Sequence, residues 1–517
     1  MGRICPISLI LAAALRLVGA AHADWRADAG FPQLQTELGA ALPTGFEIPV
    51  MMSEANVAPQ NQPVVYSPQG TTGTDPYVGA GVLAGKTITP HSAPSATSGH
   101  AAAVANYFCG TTQSVSPGVT ELHTWLADDF ATVLKNSDIH NLPQPLFAGS
   151  VQNHSWVGSW ENEADDLLTL RRLDFIIGRD GVIISTPMNN GAVMQKLLAN
   201  AYHGISAGIR DDNGITNHPH THSNLDGLGR MKPDLVVHEG VTSYAGPAVA
   251  SVATLLLDAI RPGFPDADDP RVVKAIMLSG ASKQNLLGWK RNSSSRPYDE
   301  NYGAGELNVL NAYHILAAGR QTASDSALRS IRGWDRGTSS TSAPQRYFFT
   351  LPAGQWGGTV SATITWHRQL FADFTTSMLA NLNLRLVHAS GFVTGSTVTE
   401  SISAIDNVEH LFIRNLPPGE YALEVSADMA GGAYGIAWEV QPGTGPQLTL
   451  QRTGNQNALT LSQLDPLKTY TIESCTDLSD WQPATTIRTA DTTPATTAIW
   501  QESASAGAKF YRLSWVP

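Results

Sequence analysis

Cysteine is scarce in this chain, which has three cysteines among 517 residues, and charged side chains make up only 15% of it. Cys5 falls in an N-terminal segment that we expect to be removed. The remaining pair, Cys109 and Cys475, lies far apart and in different predicted domains, so a disulfide framework is a poor explanation for stability. Stability must come instead from hydrophobic cores, and the length allows about two to four domains.

Basic residues are also few, because 32 Lys and Arg stand against 44 Asp and Glu, a formal net charge of −12. The loss of Arg3 and Arg16 with the N-terminal segment would change this charge from −12 to −14. A chain with this acidic balance is not expected to bind nucleic acid. No stretch after the N-terminal segment approaches the ~20 consecutive apolar residues that a membrane span needs, so no span is predicted.

The N-terminal segment has the three parts of a secretory signal. Arg3 supplies the basic start, residues 4–18 are apolar apart from Arg16, and Ala21-His22-Ala23 forms a small-x-small cleavage site before Asp24. We therefore expect a mature chain that begins after residues 1–23. It is expected to be secreted, or to lie in the periplasm or at the cell surface.

The hydrophobic pattern changes twice along the mature chain. Residues 24–322 mix helix-like and strand-like runs, which is typical of an α/β layer domain. Residues 323–442 contain short strands of period two separated by turns, which is typical of a β-sandwich. A linker rich in Pro and Gly then leads into a small β-rich module over residues 443–517.

Three polar residues stand where apolar elements begin or end. Ser243 lies in Thr-Ser-Tyr-Ala-Gly-Pro, directly before an apolar helical run, and His100 begins another in Ser-Gly-His-Ala-Ala-Ala-Val-Ala. Asn189 follows the strand predicted over Val182–Thr186, in Met-Asn-Asn-Gly. A helix N-terminus directs free N–H groups at an incoming oxyanion, which suits a nucleophilic serine. Taken singly, each of these two residues also has a purely structural explanation: His100 as the cap of a buried helix, and Asn189 as part of an ordinary turn.

Together and in this order, these segments resemble the subtilisin-like serine peptidases. Further segments that resemble motifs of the family are Ser116-Pro117-Gly118-Val119, Asn153 to Gly158, Lys232-Pro233-Asp234-Leu235 and Tyr302-Gly303-Ala304-Gly305. The resemblance spans residues from about 48 to 315. It implies a parallel sheet flanked by helices and a Ser-His-acid triad that hydrolyses peptide bonds and needs no cofactor. Ser243 would be the nucleophile, His100 the general base and Asn189 an oxyanion donor.

The acid of the triad departs from the family pattern, because no strand ending in Asp-Thr-Gly precedes His100. The strand predicted over Phe46–Met52 is followed by Ser53-Glu54-Ala55, and we assign Glu54 to the acid position. Asp75 is the alternative, although its segment Thr-Gly-Thr-Asp-Pro is a turn signal with no strand before it. The carboxylate would accept from the distal N–H of the histidine and fix its tautomer.

The resemblance also implies a substrate-binding strand. In the family, the segment that matches Asn153 to Gly158 pairs with bound peptide, which implies substrate contacts at Ser155, Trp156 and Gly158. A protein or a peptide would then be the substrate. The C-terminal β domains are expected to bind surfaces, glycans or the catalytic domain itself.

Metal ligands are offered by one polar stretch. His218, His220 and His222 alternate in Asn-His-Pro-His-Thr-His and would share one face of a strand, but Pro219 indicates a surface loop. Asp211 to Asn213 could bind a structural calcium ion, although their spacing is not that of an EF-hand. We therefore predict no required cofactor and assign no metal ligand.

A second interpretation is a secreted subtilase-like binding protein without catalytic activity. It is favoured by Glu54 in place of the usual Asp, by Val241 where the family usually has Gly, and by the short stretch between Ala23 and Glu54, which leaves little room for a pro-segment. A third interpretation, an esterase of the α/β-hydrolase type, is disfavoured. No Gly-x-Ser-x-Gly elbow surrounds Ser243, and the histidine precedes the serine.

Overall fold

The computed structural model describes most of the mature chain. The described residues are 24–55, 67–69, 75–92, 98–142, 147, 149–191, 195–211, 225–227, 229–260, 264–286, 288–352, 358–443, 446–464, 469–489, 496–504 and 507–515. The predicted signal segment lies outside these residues, as do His218, His220, His222 and most of the predicted calcium segment. Those predictions stay predictions.

The helices of the described chain all precede residue 320. They are α1 (Trp25–Asp28), α2 (Phe31–Leu38), α3 (Gly99–Cys109), α4 (Ala127–Asn136), α5 (Glu163–Asp180), α6 (Thr242–Ile260), α7 (Pro270–Gly280) and α8 (Val309–Ala317), with short 3-10 turns at Gly39–Ala41 and Gly81–Leu83. Local caps explain several starts, since Ser98 accepts from the N–H of Ala101 at α3 and Asp269 from that of Arg271 at α7.

The first domain is built on one sheet in the order β2-β3-β4-β1-β5-β6-β7-β8. Its strands are β1 (Val50–Glu54), β2 (Tyr77–Val78), β3 (Thr87–Pro90), β4 (Glu121–Leu126), β5 (Val151–His154), β6 (Ile183–Pro187), β7 (Ile205–Arg210) and β8 (Leu235–His238). All neighbours pair in parallel except β2, which is antiparallel to β3 at the edge of the sheet. Both faces are covered by helices, as parallel sheets require.

Alternate residues of the strands enter two separate cores. Val50 and Met52 face a core shared with α1, α2, α3, α6, α7 and α8, whereas Met51 faces a core shared with α4 and α5. The carboxyl ends of parallel strands lie at one edge of a sheet, which is where open α/β folds bind ligands. Glu54 is the last residue of β1, and β5, β6 and β8 end just before Ser155, Asn189 and the Ser243 loop.

The strand predicted over Phe46–Met52 is wrong at its start, because β1 begins at Val50. The main-chain N–H groups of residues 44–46 donate to Asp258 Oδ2 at 2.7, 2.9 and 3.3 Å, and a turn follows in which the N–H of Ile48 donates to Gly45 O at 3.1 Å. Glu47 has a φ of 58°, which extended backbone excludes, and Phe46 is 54% exposed. The strand runs instead to Glu54, so the assigned carboxylate lies within the sheet.

Helix α6 is the central helix of the first domain. It is long and apolar enough to cross a membrane, with a mean hydropathy of 1.3, but 78% of its apolar window is buried inside the protein. By length and composition α6 departs from the expectation that no later stretch could span a membrane, but its burial makes it a core helix of this domain. Cys109 of the adjacent α3 is a free, buried thiol, as is Cys475.

The remainder of the chain is antiparallel. The sandwich strands are β9 (Arg332–Thr338), β10 (Gln345–Leu351), β11 (Gly358–Trp366), β12 (Gln369–Leu370), β13 (Ser377–Met378), β14 (Leu382–Ser390), β15 (Val393–Ser401), β16 (Val408–Leu416), β17 (Gly419–Ala427) and β18 (Ala433–Gln441). The last module has β19 (Gln447–Thr453), β20 (Gln456–Leu464), β21 (Thr469–Cys475), β22 (Gln482–Arg488), β23 (Thr496–Ser503) and β24 (Phe510–Trp515).

The strands of the β-sandwich form two packed sheets, and those of the last module form two more. Sheets β10-β17-β14-β15 and β16-β11-β18-β9 enclose one core, and β19-β20-β23 and β22-β21-β24 enclose a smaller one. The predicted fold class, a parallel α/β domain followed by a β-sandwich and a small β-rich module, is confirmed. The predicted domain limits fall between α8 and β9 and between β18 and β19, and they stay a prediction.

The β-sandwich is joined to the first domain by buried polar contacts. Ser279 of α7 donates to Ala437 O at 2.8 Å, and Ser361 donates to Ser279 O at 2.7 Å. Arg368 reaches across the interface, with Nε 2.8 Å from Asp174 Oδ2 and a further contact to Asp226. Arg368 and Asp174 are both buried, so each needs the other to offset its lost hydration.

We predict that Arg368→Ala lowers the free energy of unfolding by about 3–5 kcal/mol, because it leaves a buried carboxylate without its cation. Arg385→Ala is the matched control, since the Arg385–Glu400 pair is about one-third exposed, and its loss should cost less than about 1 kcal/mol. Denaturant unfolding followed by intrinsic fluorescence measures both. Equal losses in the two variants would contradict the structural role of the buried pair.

Candidate active site

Glu54 and His100 meet at the carboxyl edge of the sheet. His100 Nδ1 lies 2.6 Å from Glu54 Oε2, which joins the end of β1 to the first turn of α3. A carboxylate can only accept, so the proton lies on Nδ1 and a neutral His100 has its basic lone pair on Nε2. The arrangement therefore presents a nitrogen that can take a proton from a neighbouring hydroxyl.

The surroundings of this pair shift the pKa values of both Glu54 and His100. Glu54 is 1% exposed, and burial raises its pKa although the charge of His100 opposes this. Burial lowers the pKa of His100, but the charge and the hydrogen bond of Glu54 outweigh burial and leave the pKa above its ordinary value of 6.5. Glu54 Oε1 has no hydrogen-bond partner among the described residues, so His100 is the group that compensates this carboxylate.

Asp75, the alternative acid, lies elsewhere. It is exposed and precedes β2, the edge strand at the far end of the sheet, whereas β1 is flanked by β4 and β5. The structure therefore brings Glu54, and not Asp75, into contact with His100.

Ser243 is the second residue of α6, and α6 packs against α3, which carries His100. Ser243 is half-buried, and within the described chain neither its hydroxyl nor its main-chain N–H makes a hydrogen bond. His100 Nε2 likewise has no hydrogen bond to Ser243 Oγ in this structure. Such contacts are often long in free enzymes and tighten on substrate binding.

A proline inside α6 explains how the Ser243 turn is fixed. Pro247 has no N–H, so the carbonyl of Ser243, four residues earlier, loses its helical donor. Ser155 Oγ supplies the missing donor at 3.0 Å, and Asn153 Nδ2 in turn donates to Ser155 Oγ at 2.9 Å. The side chain of Ser155, assigned to substrate binding, is therefore buried behind the nucleophile and positions it.

The loop after β6 contacts the start of α6 through a residue that the sequence argument did not single out. Asn190 Oδ1 accepts from both the N–H and the hydroxyl of Thr242, each at 2.9 Å. Asn189, the assigned oxyanion donor, is half-buried beside this contact, with Nδ2 3.4 Å from Gly191 O. The sequence Asn189-Asn190 was the signal that marked this loop, but in the structure Asn190 contacts Thr242 and Asn189 lies near Gly191.

The other two assigned substrate contacts are also placed by the structure. Trp156 is buried in the core shared with α4 and α5, and its indole N–H donates to Ser53 Oγ at 2.7 Å. Gly158 pairs its main chain with Leu197. Val157 lies between them, half-buried, and its main chain has no hydrogen bond in the described part of the chain. Substrate binding by this segment stays a prediction, and its most open main chain is that of Val157.

A second serine–histidine contact lies nearby but is sealed in the core. His154 Nδ1 is 2.6 Å from Ser53 Oγ, both residues are fully buried, and burial lowers the pKa of His154 to about 3. This imidazole stays neutral and has no route to a substrate. In the His100–Glu54 pair, by contrast, the side chain of His100 is 23% exposed.

Val241 and one acidic cluster complete the surroundings. The Val241 side chain is 38% exposed, so it points toward solvent and does not crowd the loop. Asp28, His238 and Glu306 have the donor spacing of a metal site. Arg210 already pairs with Glu306 at 2.8 Å and lies 3.6 Å from Asp28. A cation is therefore already present in this cluster as a guanidinium.

No family model and no curated protein sequence matches the chain. Among solved structures it is similar to a serine protease of Aeromonas sobria, at 13% identity over 89% of this chain and 88% of that one, with a TM-score of 0.33. It is also similar to a lanthipeptide protease, at 15% identity over 56% and 94% of the two chains, with a TM-score of 0.36.

A third similar structure is a psychrophilic subtilisin-like protease from Pseudoalteromonas sp. AS-11, at 10% identity over 55% of this chain and 97% of that one, with a TM-score of 0.35. TM-scores this low carry no argument about activity. The chemistry of the site rests on the contacts of this chain's own residues.

We predict that the pKa of His100 lies above 6.5 and falls below that value in Glu54→Gln, because the amide removes the charge that raises it and leaves the burial that lowers it. Asp75→Asn, which alters an exposed carboxylate, should leave the pKa of His100 unchanged. Histidine ring resonances followed by NMR across pH give all three values. A larger shift in Asp75→Asn than in Glu54→Gln would reject the assignment.

Proposed function

We propose that the chain is a secreted serine endopeptidase, which hydrolyses peptide bonds through Ser243, His100 and Glu54. The observation that carries this proposal is the 2.6 Å contact between His100 Nδ1 and a fully buried Glu54, beside the helix that has Ser243 as its second residue. A buried carboxylate at a sheet edge is costly, and here it orients an imidazole toward a helix that carries a serine hydroxyl.

In the proposed reaction, Ser243 Oγ attacks the carbonyl carbon of the scissile peptide bond while His100 Nε2 takes the hydroxyl proton. Glu54 keeps the Nδ1–H tautomer and stabilises the imidazolium that forms. The imidazolium then returns its proton to the leaving amine as the C–N bond breaks. Water, activated by the same nitrogen, hydrolyses the acyl group from Ser243.

The negative charge on the tetrahedral intermediate needs fixed donors. The Ser243 N–H is one, because it lies in the first turn of α6, has no hydrogen bond in the described chain and benefits from the partial positive charge of the helix N-terminus. Asn189 Nδ2 is proposed as the other. One such donor lowers the barrier by about 3–4 kcal/mol.

The rival proposal is a secreted, subtilase-like binding protein without activity. The observation that favours it is the missing hydrogen bond between His100 Nε2 and Ser243 Oγ. The peptidase proposal is preferred because burial of the Glu54–His100 pair costs stability, and what this pair supplies, an imidazole with one nitrogen left to take a proton, is of use in a reaction. The C-terminal β domains would bind surfaces or glycans in either case.

We predict that a fluorophosphonate labels the wild-type protein once, at Ser243, and that Ser243→Ala lowers the rate of casein hydrolysis by on the order of 10⁶-fold. The raised pKa of His100 places the acidic limb above pH 6.5, since only the neutral imidazole takes the proton, so labelling slows as pH falls through that limb. Peptide mass spectrometry locates the label.

Ser293→Ala is the control, because Ser293 is exposed and, among the described residues, its hydroxyl has a hydrogen bond only with that of Ser295. It should keep wild-type labelling and hydrolysis. A wild-type protein that is folded yet neither labelled nor active would favour the binding protein, and label on another serine would reject the assigned nucleophile.

A further inference from the structure

Tyr107 lies on the His100 helix, on the face that meets the nucleophile helix. It follows His100 by seven residues, which is close to two helical turns, so the two side chains share one face of α3. The Tyr107 ring stacks on Tyr244 with ring centroids 4.7 Å apart and planes 6° apart. Tyr244 directly follows Ser243, so this stack connects the helix of the base to the turn of the nucleophile.

The hydroxyl of Tyr107 has a second function in the same place. It lies beside the carboxylate of Glu239, which is the first residue after β8 and only 8% exposed, and each of the two groups shifts the pKa of the other. The N–H of Glu239 donates to Arg210 O at 3.1 Å. Glu239 is thus fixed to the sheet, with the Tyr107 hydroxyl next to its carboxylate.

The connection between β8 and Ser243 has few other constraints of its own. It consists of Glu239, Gly240, Val241 and Thr242, of which Val241 is exposed and a Cβ on Gly240 would meet nothing within 4 Å. Asn190 holds Thr242 from one side. The Tyr107 contacts act from the opposite helix, so without them the position of Ser243 relative to His100 would depend on Asn190, Ser155 and general packing.

We propose that Tyr107 and Glu239 are positioning residues for Ser243. The Tyr107 ring fixes Tyr244, and its hydroxyl interacts with Glu239 at the strand end from which the nucleophile loop begins. The effect reaches the reaction only through the place of Ser243 opposite His100. This inference rests on the proposed peptidase function, and it adds residues to that site that no family motif of the sequence contains.

The charges around Glu239 make its interaction with Tyr107 sensitive to pH. Burial raises the pKa of Glu239 to about 7, whereas the Tyr107 hydrogen bond, the Gly240 N–H and the charge of His238 lower it and the charge of Asp24 raises it. Burial, followed by the charge of Glu239, also raises the pKa of Tyr107, so Tyr107 stays a donor. Burial and the charge of Glu239 also raise the pKa of Tyr244, so Tyr244 stays protonated, and the Arg26 guanidinium is a further charge that interacts with Tyr107.

Protonation of Glu239 removes the negative charge that attracts the Tyr107 hydroxyl, so Ser243 is held less firmly below about pH 7. His100 must also be neutral for the reaction, and its pKa is raised above 6.5. Two ionisations therefore shape the acidic limb, and log kcat/KM should fall there with a slope steeper than one. A site that depended on His100 alone would give a slope of one.

The test compares three variants of the full chain by kcat, KM and pH profile with a peptide substrate. Tyr107→Leu, which removes the stack and the hydroxyl, should lower kcat by about 100-fold with KM changed little, since a misplaced reactive group costs about that much. Tyr107→Phe keeps the stack and should recover part of the lost kcat. It removes the hydroxyl through which Glu239 acts on Ser243, so its acidic limb should have a slope of one.

Glu239→Gln keeps a hydrogen-bond acceptor for Tyr107 but no longer titrates, so its acidic limb should have a slope of one. Tyr313→Phe, in α8 away from the site, is the matched control and should match wild type in kcat and in profile. Wild-type kcat in Tyr107→Leu, or acidic limbs in Tyr107→Phe and Glu239→Gln that match wild type, would overturn the positioning role while Ser243 labelling upholds the peptidase. A wild-type chain that is neither labelled nor active overturns both.

Discussion

A carboxylate that is 1% exposed must be compensated, and at the end of β1 the compensating group is His100. This single contact, at 2.6 Å, joins the central sheet to α3 and sets which imidazole nitrogen faces outward. It also explains the direction of the shift at His100, whose pKa rises although burial alone would lower it. The orientation of the base and its basicity follow from one buried oxygen.

The nucleophile side of the site depends on replacing main-chain hydrogen bonds that α6 cannot make itself. Pro247 deprives the Ser243 carbonyl of its donor, and the hydroxyl of Ser155 replaces it. Asn190 caps Thr242 in the same manner. Because these partners come from the ends of β5 and β6, the sheet determines where the helix begins. Helix ends that need outside partners thus place a serine more firmly than a loop would.

Contacts that follow from the order of elements along the chain could be predicted from the sequence, whereas contacts between residues brought together only by folding could not. Glu54 was assigned because it follows a strand, and the structure places it against His100 although that strand begins later than predicted. The family resemblance implies that Ser155 contacts substrate, whereas in the structure its hydroxyl donates to the Ser243 carbonyl. That carbonyl lacks a helical donor because of Pro247, which lies 92 positions after Ser155, and no periodicity in the sequence connects the two. Asn190 and Asn189 are likewise indistinguishable until the loop is folded.

The central claim is that Ser243 is acylated while His100 and the start of α6 complete the site. A crystal structure of the protein after reaction with a fluorophosphonate tests it most directly. The account predicts phosphorus bonded to Ser243 Oγ, His100 Nε2 within hydrogen-bond distance of that oxygen, Glu54 still on Nδ1, and a phosphoryl oxygen beside the Ser243 N–H and Asn189 Nδ2. A phosphoryl oxygen directed away from α6, or His100 turned away from Ser243 in the adduct, would contradict it.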